Sequence, residues 1–263
     1  MWRVWITVIG FLVGCIATTL GAATVFVLKK EISAKANALL TGTAAGIMLA
    51  ASVWSLLLPA IDQATGQMGG ISALFIAISV IIGGLLLTFL HSLEVIDFEK
   101  NTVLGVFSGR NGQSYMRMFI AVTLHNIPEG LAVGFAFGIA SLNGSFSAYL
   151  SALGLAIGIG AQNFPEGAAI SLPMQSACGK RAAFLWGAGS GIVEPICSVV
   201  GYFLSTAISF LQPWLLSFAA GAMIFVSAQD LIPVAGKEEQ WHIGAWGVLI
   251  GFVVMMLLDV TLG

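Results

Sequence analysis

Charge is what this chain has least of. Only 8% of its 263 residues are Asp, Glu, Lys or Arg, whereas 58% are hydrophobic. An ordinary soluble domain carries about 25% charged residues, so a polar shell for a soluble fold of this length is excluded. The formal net charge is −2, and the 10 basic residues form no cluster, which gives no surface for nucleic acid. Cysteine is nearly absent as well. Cys15, Cys178 and Cys197 are an odd number without paired spacing, so no disulfide framework is implied. The apolar stretches also lack the alternation of period two that a membrane β-barrel requires.

What the chain does have is apolar runs of about 20 residues, the length of a helix that crosses roughly 30 Å of hydrocarbon. A segment in lipid has to satisfy its own backbone hydrogen bonds, which leaves the helix as the solution here. The runs lie at 4–28, 37–59, 70–92, 117–140, 147–172, 182–209, 213–234 and 243–261. They predict an all-α membrane protein, an eight-transmembrane-helix bundle in which residues 1–263 form a single domain. The first run is too long for the core of a signal peptide and is read as an uncleaved span. Connections are short except for residues 93–116, a segment with Asp97, Glu99, Lys100, Gly109, Arg110 and Gly112 that reads as a flexible loop.

The basic residues set the orientation. With both termini outside, the inner connections hold Lys29, Lys30, Lys35, Lys100, Arg110, Arg117, Lys180, Arg181 and Lys237, leaving Arg3 outside. That asymmetry satisfies the positive-inside rule. The chain also echoes itself. Ala44-Ala45-Gly46-Ile47-Met48 in the second span recurs as Ala219-Ala220-Gly221-Ala222-Met223 in the seventh, and each run continues through a serine to a proline, Pro59 and Pro233. These two spans run in opposite directions in this topology, as an inverted internal repeat requires. Small residues are also common wherever membrane helices pack closely, so the echo by itself leaves both readings open.

A second echo carries chemistry. The fourth span contains His125-Asn126-Ile127-Pro128-Glu129-Gly130 and the fifth Gln162-Asn163-Phe164-Pro165-Glu166-Gly167. Both glutamates fall in mid-span, where an ionised carboxylate costs several kcal/mol unless it is partnered or hydrated. A divalent cation between them removes that cost and their mutual repulsion together. His125 and Glu129 are four residues apart, as are Gln162 and Glu166, so each pair shares a helix face. Asn126 and Asn163 follow about 100° further round. Pro128 and Pro165 cannot donate to the carbonyls of Leu124 and Ala161, and Pro195 cannot donate to that of Gly191; these oxygens are expected to be free. Glu194, beside Pro195 in the sixth span, adds a third intramembrane carboxylate. Imidazole together with oxygen ligands suits zinc and related transition metals. Met48 is either a soft thioether ligand or core packing, and Cys197, three residues from Glu194, favours packing. His91 and Asp230 lie towards inner span ends, where exit route and snorkelling read equally well. Asp62, just beyond the second span, either attracts cations at an outer mouth or is a solvated loop residue.

These residues resemble the ZIP (Zrt/Irt-like) family of zinc transporters, over essentially the whole chain. His125-Asn126-x-Pro128-Glu129-Gly130 is similar to that family's fourth-span signature. Gln162-Asn163-x-Pro165-Glu166-Gly167, with glutamine where many members have histidine, resembles the GufA-like branch, and so does the second-span run from Met48 to Pro59. The resemblance implies a single transmembrane transporter domain, not an enzyme, with Zn2+ as substrate and Cd2+ or other divalent transition metals accepted. It implies a binuclear centre at mid-membrane. Met48, His125, Glu129, Gln162 and Glu166 form one site; Asn126, Glu129, Asn163, Glu166 and Glu194 form the other, with the two glutamates bridging. Asp62 is then on the entrance path and transport runs towards the cytoplasm, in a bacterial plasma (inner) membrane. The 93–116 segment has no histidine, unlike the His-rich loops of many members, and Gln162 weakens nitrogen ligation, so broad selectivity is expected.

The partners expected are divalent metal ions and membrane lipid, with no nucleic acid; a homodimer is one option that the residues do not fix. The rival reading is an intramembrane metal-dependent hydrolase. It needs about three strong ligands on a retained zinc, and the helical His-Glu-x-x-His pattern is missing. A channel is the second rival, separable from a carrier by unsaturated flux.

Overall fold

In the computed structural model, residues 1–28, 33–98, 110–207, 209–236 and 240–262 are described, and among these every regular element is helical. The long elements are α1 (Trp2–Val27), α2 (Ala34–Ala51), α3 (Leu58–Met68), α4 (Ser72–Phe98), α5 (Arg110–Asn143), α6 (Phe146–Ser190), α7 (Val193–Ala207), α8 (Gln212–Val226) and α10 (Trp241–Leu262), with a short α9 (Ile232–Ala235). Among the described residues, six stretches are long and apolar enough to cross a bilayer: Trp2–Val27, Ala34–Gly66, Gly69–Phe89, Cys178–Ala207, Gln212–Ala235 and Trp241–Thr261. Helix α5 and the first part of α6 carry the polar motifs and so are less apolar than the others.

Several boundaries differ from those read in the sequence. Helix α6 runs on past 172 to a kink at Gly179, whose φ of 77° and ψ of 162° break the helical path; a positive φ of this size is one that glycine adopts without a Cβ clash. The sixth span is not one helix but is interrupted at Gly191–Ile192, ahead of Glu194. There the carbonyl of Gly191, expected to be freed by Pro195, instead accepts the Glu194 N–H at 3.3 Å, because the turn tightens to an i→i+3 bond. Helix α5 continues through Pro128. Helices α4 and α5 extend into the 93–116 segment from either side; Lys100 and the other residues of 99–109, like Lys29, Lys30 and Lys237, lie outside the described residues.

The surface is inside-out by the standards of a soluble protein. Leu85, Phe203 and Trp246 are each more than 60% exposed, whereas Asn126, Glu129, Gln162 and Asn163 are at most 1% exposed. Lipid solvates such an exterior, while the polar groups find one another inside. At one end Arg3 donates through Nη2 to the Gly144 carbonyl at 2.8 Å, and Trp2 meets Phe146 and Tyr149 edge-on. This ties the start of α1 to the α5–α6 turn, where Ser145 caps α6 by accepting from Ala148 N.

Helix pairing is intimate because glycine removes the side chain at the crossing points. Helix α1 packs on α6, α5 on α7, α2 on α10 and α4 on α8. The last two pairs are built alike. A Cβ at Gly46 of α2 would strike the Val248 carbonyl of α10, and one at Gly221 of α8 would strike the Val80 carbonyl of α4. Reciprocally, Gly251 of α10 sits on the Thr43 carbonyl and Gly83 of α4 on that of Phe218. Both α2 and α8 then pass into a π-helical turn, Ser52–Leu57 and Ser227–Leu231. At the start of each turn the serine hydroxyl bonds back four residues: Ser52 Oγ donates to Met48 O at 2.7 Å and Ser227 Oγ to Met223 O at 2.9 Å.

Since backbone cannot yield as a side-chain tip can, Gly46→Leu and Gly221→Leu are each expected to destabilise the fold by about 1–3 kcal/mol, the usual range for overpacking. Thermal unfolding in detergent checks this, with Gly66→Leu, where a new side chain meets open space, expected to melt near the parent.

Candidate metal centre

Three helices bring the polar motifs together and a fourth closes them from behind. Helix α5 supplies Asn126 and Glu129, α6 supplies Gln162, Asn163 and Glu166, and α7 supplies Glu194; all six are buried. The motif glycines allow this approach. A Cβ on Gly130 would run into Glu194 and Cys197 of α7, and one on Gly167 into the Thr18 carbonyl of α1. The carboxylates of Glu129, Glu166 and Glu194 lie close enough to repel one another when ionised.

The hydrogen bonds leave the acceptors of this cluster largely unused. Gln162 donates through Nε2 to Glu129 Oε1, joining the α5 and α6 motifs directly. Asn126 Nδ2 donates to the Ser190 carbonyl at 3.0 Å, which fixes the amide and turns its oxygen the other way. Asn163 lies near the Glu129 and Glu194 carboxylates but meets neither with hydrogen-bond geometry. Four buried oxygens, Asn126 Oδ1, Glu129 Oε2, Gln162 Oε1 and Asn163 Oδ1, consequently accept no hydrogen bond. Burying one such acceptor unpaired costs about 1–3 kcal/mol.

Helix α1 takes part in a way that its sequence did not announce. Thr18 Oγ1 lies 3.2 Å from Glu194 Oε1 and 3.1 Å from the Gly14 carbonyl, one hydroxyl proton pointing between a carboxylate and its own helix. Gly14 itself leaves the space that Glu194 fills, since a Cβ there would overlap the carboxylate and come within 3.0 Å of Asn163 Nδ2. Threonine and glycine in an apolar span are ordinary helix-contact residues, so only the packing of α1 on α6 and α7 assigns them here.

The remaining expected residues are placed as follows. Met48 is fully buried in α2, which packs on α6. The His125 backbone belongs to α5, while its side chain lies outside the described residues. Asp62 is exposed on α3. The neighbouring Pro59 and Gln63 line a cavity of about 350 Å³ with Trp54, Ser55 and Asp259. In it Ser55 Oγ donates to Asp259 Oδ1 at 2.6 Å. Asp259, a charge near the end of an otherwise apolar helix, is a third residue that sequence reasoning passed over. Among the described residues no group of three or more His, Cys, Asp and Glu side chains converges as a ready metal cluster; the six side chains here are three carboxylates and three amides.

The comparisons with known proteins agree with this chemistry. Residues 108–259 match the family model described as ZIP Zinc transporter. The chain is 35% identical to a protein named Zinc transporter ZIP11 from Homo sapiens, covering 94% of each. It is 36% identical to Zinc transporter GufA from Myxococcus xanthus, over 94% of this chain and 95% of the relative. Zinc transporter ZIPB from Bordetella bronchiseptica is 33% identical over 97% of this chain and 81% of its own. With paired intramembrane motifs, buried acceptors lacking donors and relatives matched along nearly their whole length, the chain belongs to the ZIP zinc transporter family.

Proposed function

We propose that this chain carries divalent metal ions, zinc foremost, across a bacterial inner membrane towards the cytoplasm, binding them between α5, α6 and α7. Membership of a transporter family makes it a transporter and not an enzyme. The observation that carries the site is the set of four buried side-chain oxygens without a donor, set among three carboxylates. In the binuclear reading, Met48, His125, Glu129, Gln162 and Glu166 hold one ion. Asn126, Glu129, Asn163, Glu166 and Glu194 hold the second, and the two glutamates bridge. The amide oxygens ligate without adding charge, which leaves an ion free to depart. With one imidazole and several oxygens, cadmium and other divalent transition metals are accepted besides zinc.

The same reading extends to the architecture. The polar α5 and α6 cross the bilayer with the six apolar stretches, making eight spans with both termini outside and the basic connections inside. The matched glycine contacts, serine bonds and π-helical turns of α2–α10 and α8–α4 support an inverted repeat that exchanges spans one to three with six to eight. The exchange also carries α5 onto α6, and so Asn126 onto Asn163 and Glu129 onto Glu166. Asp62 on the rim, with the Ser55–Asp259 pair in the adjoining cavity, forms the entrance path. Cations in that path meet carboxylate before they meet the central cluster.

Uptake of zinc into proteoliposomes tests the site. Glu129→Ala and Glu166→Ala are each expected to lower saturable uptake more than about tenfold, the loss that about 1.4 kcal/mol of binding brings; uptake by Glu166→Ala at the parental rate would remove the central site from consideration. Gln162→His is expected to favour zinc over manganese in competition, and unchanged competition curves would speak against a ligand role for that position. Thr18→Val should raise KM by freeing the Glu194 carboxylate to rotate, with Thr18→Ser restoring the parent value; equal KM in both variants would reduce Thr18 to packing.

A further inference from the structure

The inverted repeat has a consequence for the one proposed ligand that lies outside α5, α6 and α7. Met48 stands two residues after Gly46, the glycine seated on Val248 of α10. Met223 stands two residues after Gly221, the glycine seated on Val80 of α4. Two residues are about 200° of helix, so each methionine points away from the glycine-packed partner. Each is fully buried within one apolar cluster. Each lends its carbonyl to the serine that opens a π-helical turn, and such turns recur at functional sites. Helix α2 packs on α6, and α8 packs on α5. The two methionines therefore stand on the helices that pack against α6 and α5 respectively.

A carrier presents its site to each face of the membrane in turn. When the two halves of an inverted repeat exchange their conformations, the molecule is turned over about an axis in the membrane plane. The outward-facing and inward-facing states are related in this way. Under that exchange the α5 and α6 motifs map onto each other, so Asn126, Glu129, Asn163 and Glu166 serve both states. Met48 does not map onto itself; it maps onto Met223.

We propose that Met223 is a second thioether ligand of the metal path, which approaches the ion in the state facing one side while Met48 approaches it in the state facing the other. The ion thus keeps its shared oxygens throughout and trades one soft ligand for its symmetry mate. This rests on the metal-carrier reading of the α5–α6 site. It concerns a residue outside the paired α5 and α6 motifs.

The probes are Cd2+, a soft ion that gains from sulfur, and Mn2+, a hard ion that prefers oxygen. The full chain is reconstituted in vesicles with one orientation, and KM is measured for each ion presented at either face. Methionine to leucine keeps the side-chain volume and normally costs little stability. Met48→Leu and Met223→Leu are each expected to raise the Cd2+ KM several-fold at one face, the two at opposite faces, with the Mn2+ KM unchanged. Met223→Gln, which keeps the length but replaces sulfur by an amide, is expected to move the preference from Cd2+ towards Mn2+, and it decides the matter should the leucine variant be unstable. A Met223→Leu chain whose Cd2+ KM is unaltered at both faces would overturn the proposal. So would a loss of maximal rate that is equal for both ions, the mark of packing alone, or both leucine variants acting at the same face. Glu166→Ala measured alongside keeps the two readings apart: lost transport there with an inert Met223→Leu defeats only the second thioether, whereas retained transport defeats the metal site itself.

Discussion

Three carboxylates held within one another's fields, in the middle of a membrane helix bundle, are the constraint from which the rest of this structure follows. Glu129, Glu166 and Glu194 are nearly or wholly withdrawn from the surface. In so poor a dielectric like charges repel strongly and single charges are costly. Two of them receive hydrogen bonds from described neighbours. Gln162 gives Glu129 one hydrogen bond and Thr18 gives one to Glu194, but both donors are neutral. Asn126 turns its own donor away, to the Ser190 carbonyl. Among the described residues, Asn126 Oδ1, Glu129 Oε2, Gln162 Oε1 and Asn163 Oδ1 are left without a hydrogen bond, and the proposed cation site rests on that excess of acceptors.

Bringing the carboxylates so close requires helix axes closer than large side chains allow, and glycine meets that requirement. Gly130 admits α7 to the α5 motif, Gly167 admits α1 to the α6 motif, and Gly14 leaves room for the Glu194 carboxylate itself. The break in the sixth span serves the same end: the chain turns at Gly191–Ile192, so that Glu194 enters from the first turn of α7 rather than from the side of a long straight helix. The outer helices use the device again in the α2–α10 and α4–α8 pairs, where the Gly46–Val248 and Gly251–Thr43 contacts of one have counterparts in the Gly221–Val80 and Gly83–Phe218 contacts of the other. The exterior left by this packing is almost wholly apolar, and lipid rather than water is its solvent.

Much of the site was legible in residues. The repeated Asn-x-Pro-Glu-Gly placed two carboxylates and two amides on adjacent helices, and the structure joins them through the Gln162–Glu129 hydrogen bond. Glu194 was legible as a charge in an apolar run. Thr18, Gly14 and Asp259 were not, because each is a single residue of a type that membrane helices carry for packing or at their ends, and their partners are remote in sequence. Pro195 misled in detail: its missing N–H was counted against the Gly191 carbonyl, but the local turn gives that carbonyl a nearer donor, the Glu194 N–H.

Composition and run length by themselves determined that this is a helical membrane protein, since hydrophobic thickness and backbone satisfaction depend only on local sequence. Motif spacing likewise determined which face of α5 and of α6 carries the carboxylates, because four residues of helix return to the same side. Only the tertiary structure decided which helices supply the walls: that α1 stands behind Glu194, that α2 and α8 approach α6 and α5 in matching fashion, and that each begins a π-helical turn at its serine. Those outcomes depend on which glycine meets which carbonyl across a helix crossing, and no local pattern encodes a distance between segments far apart in the chain.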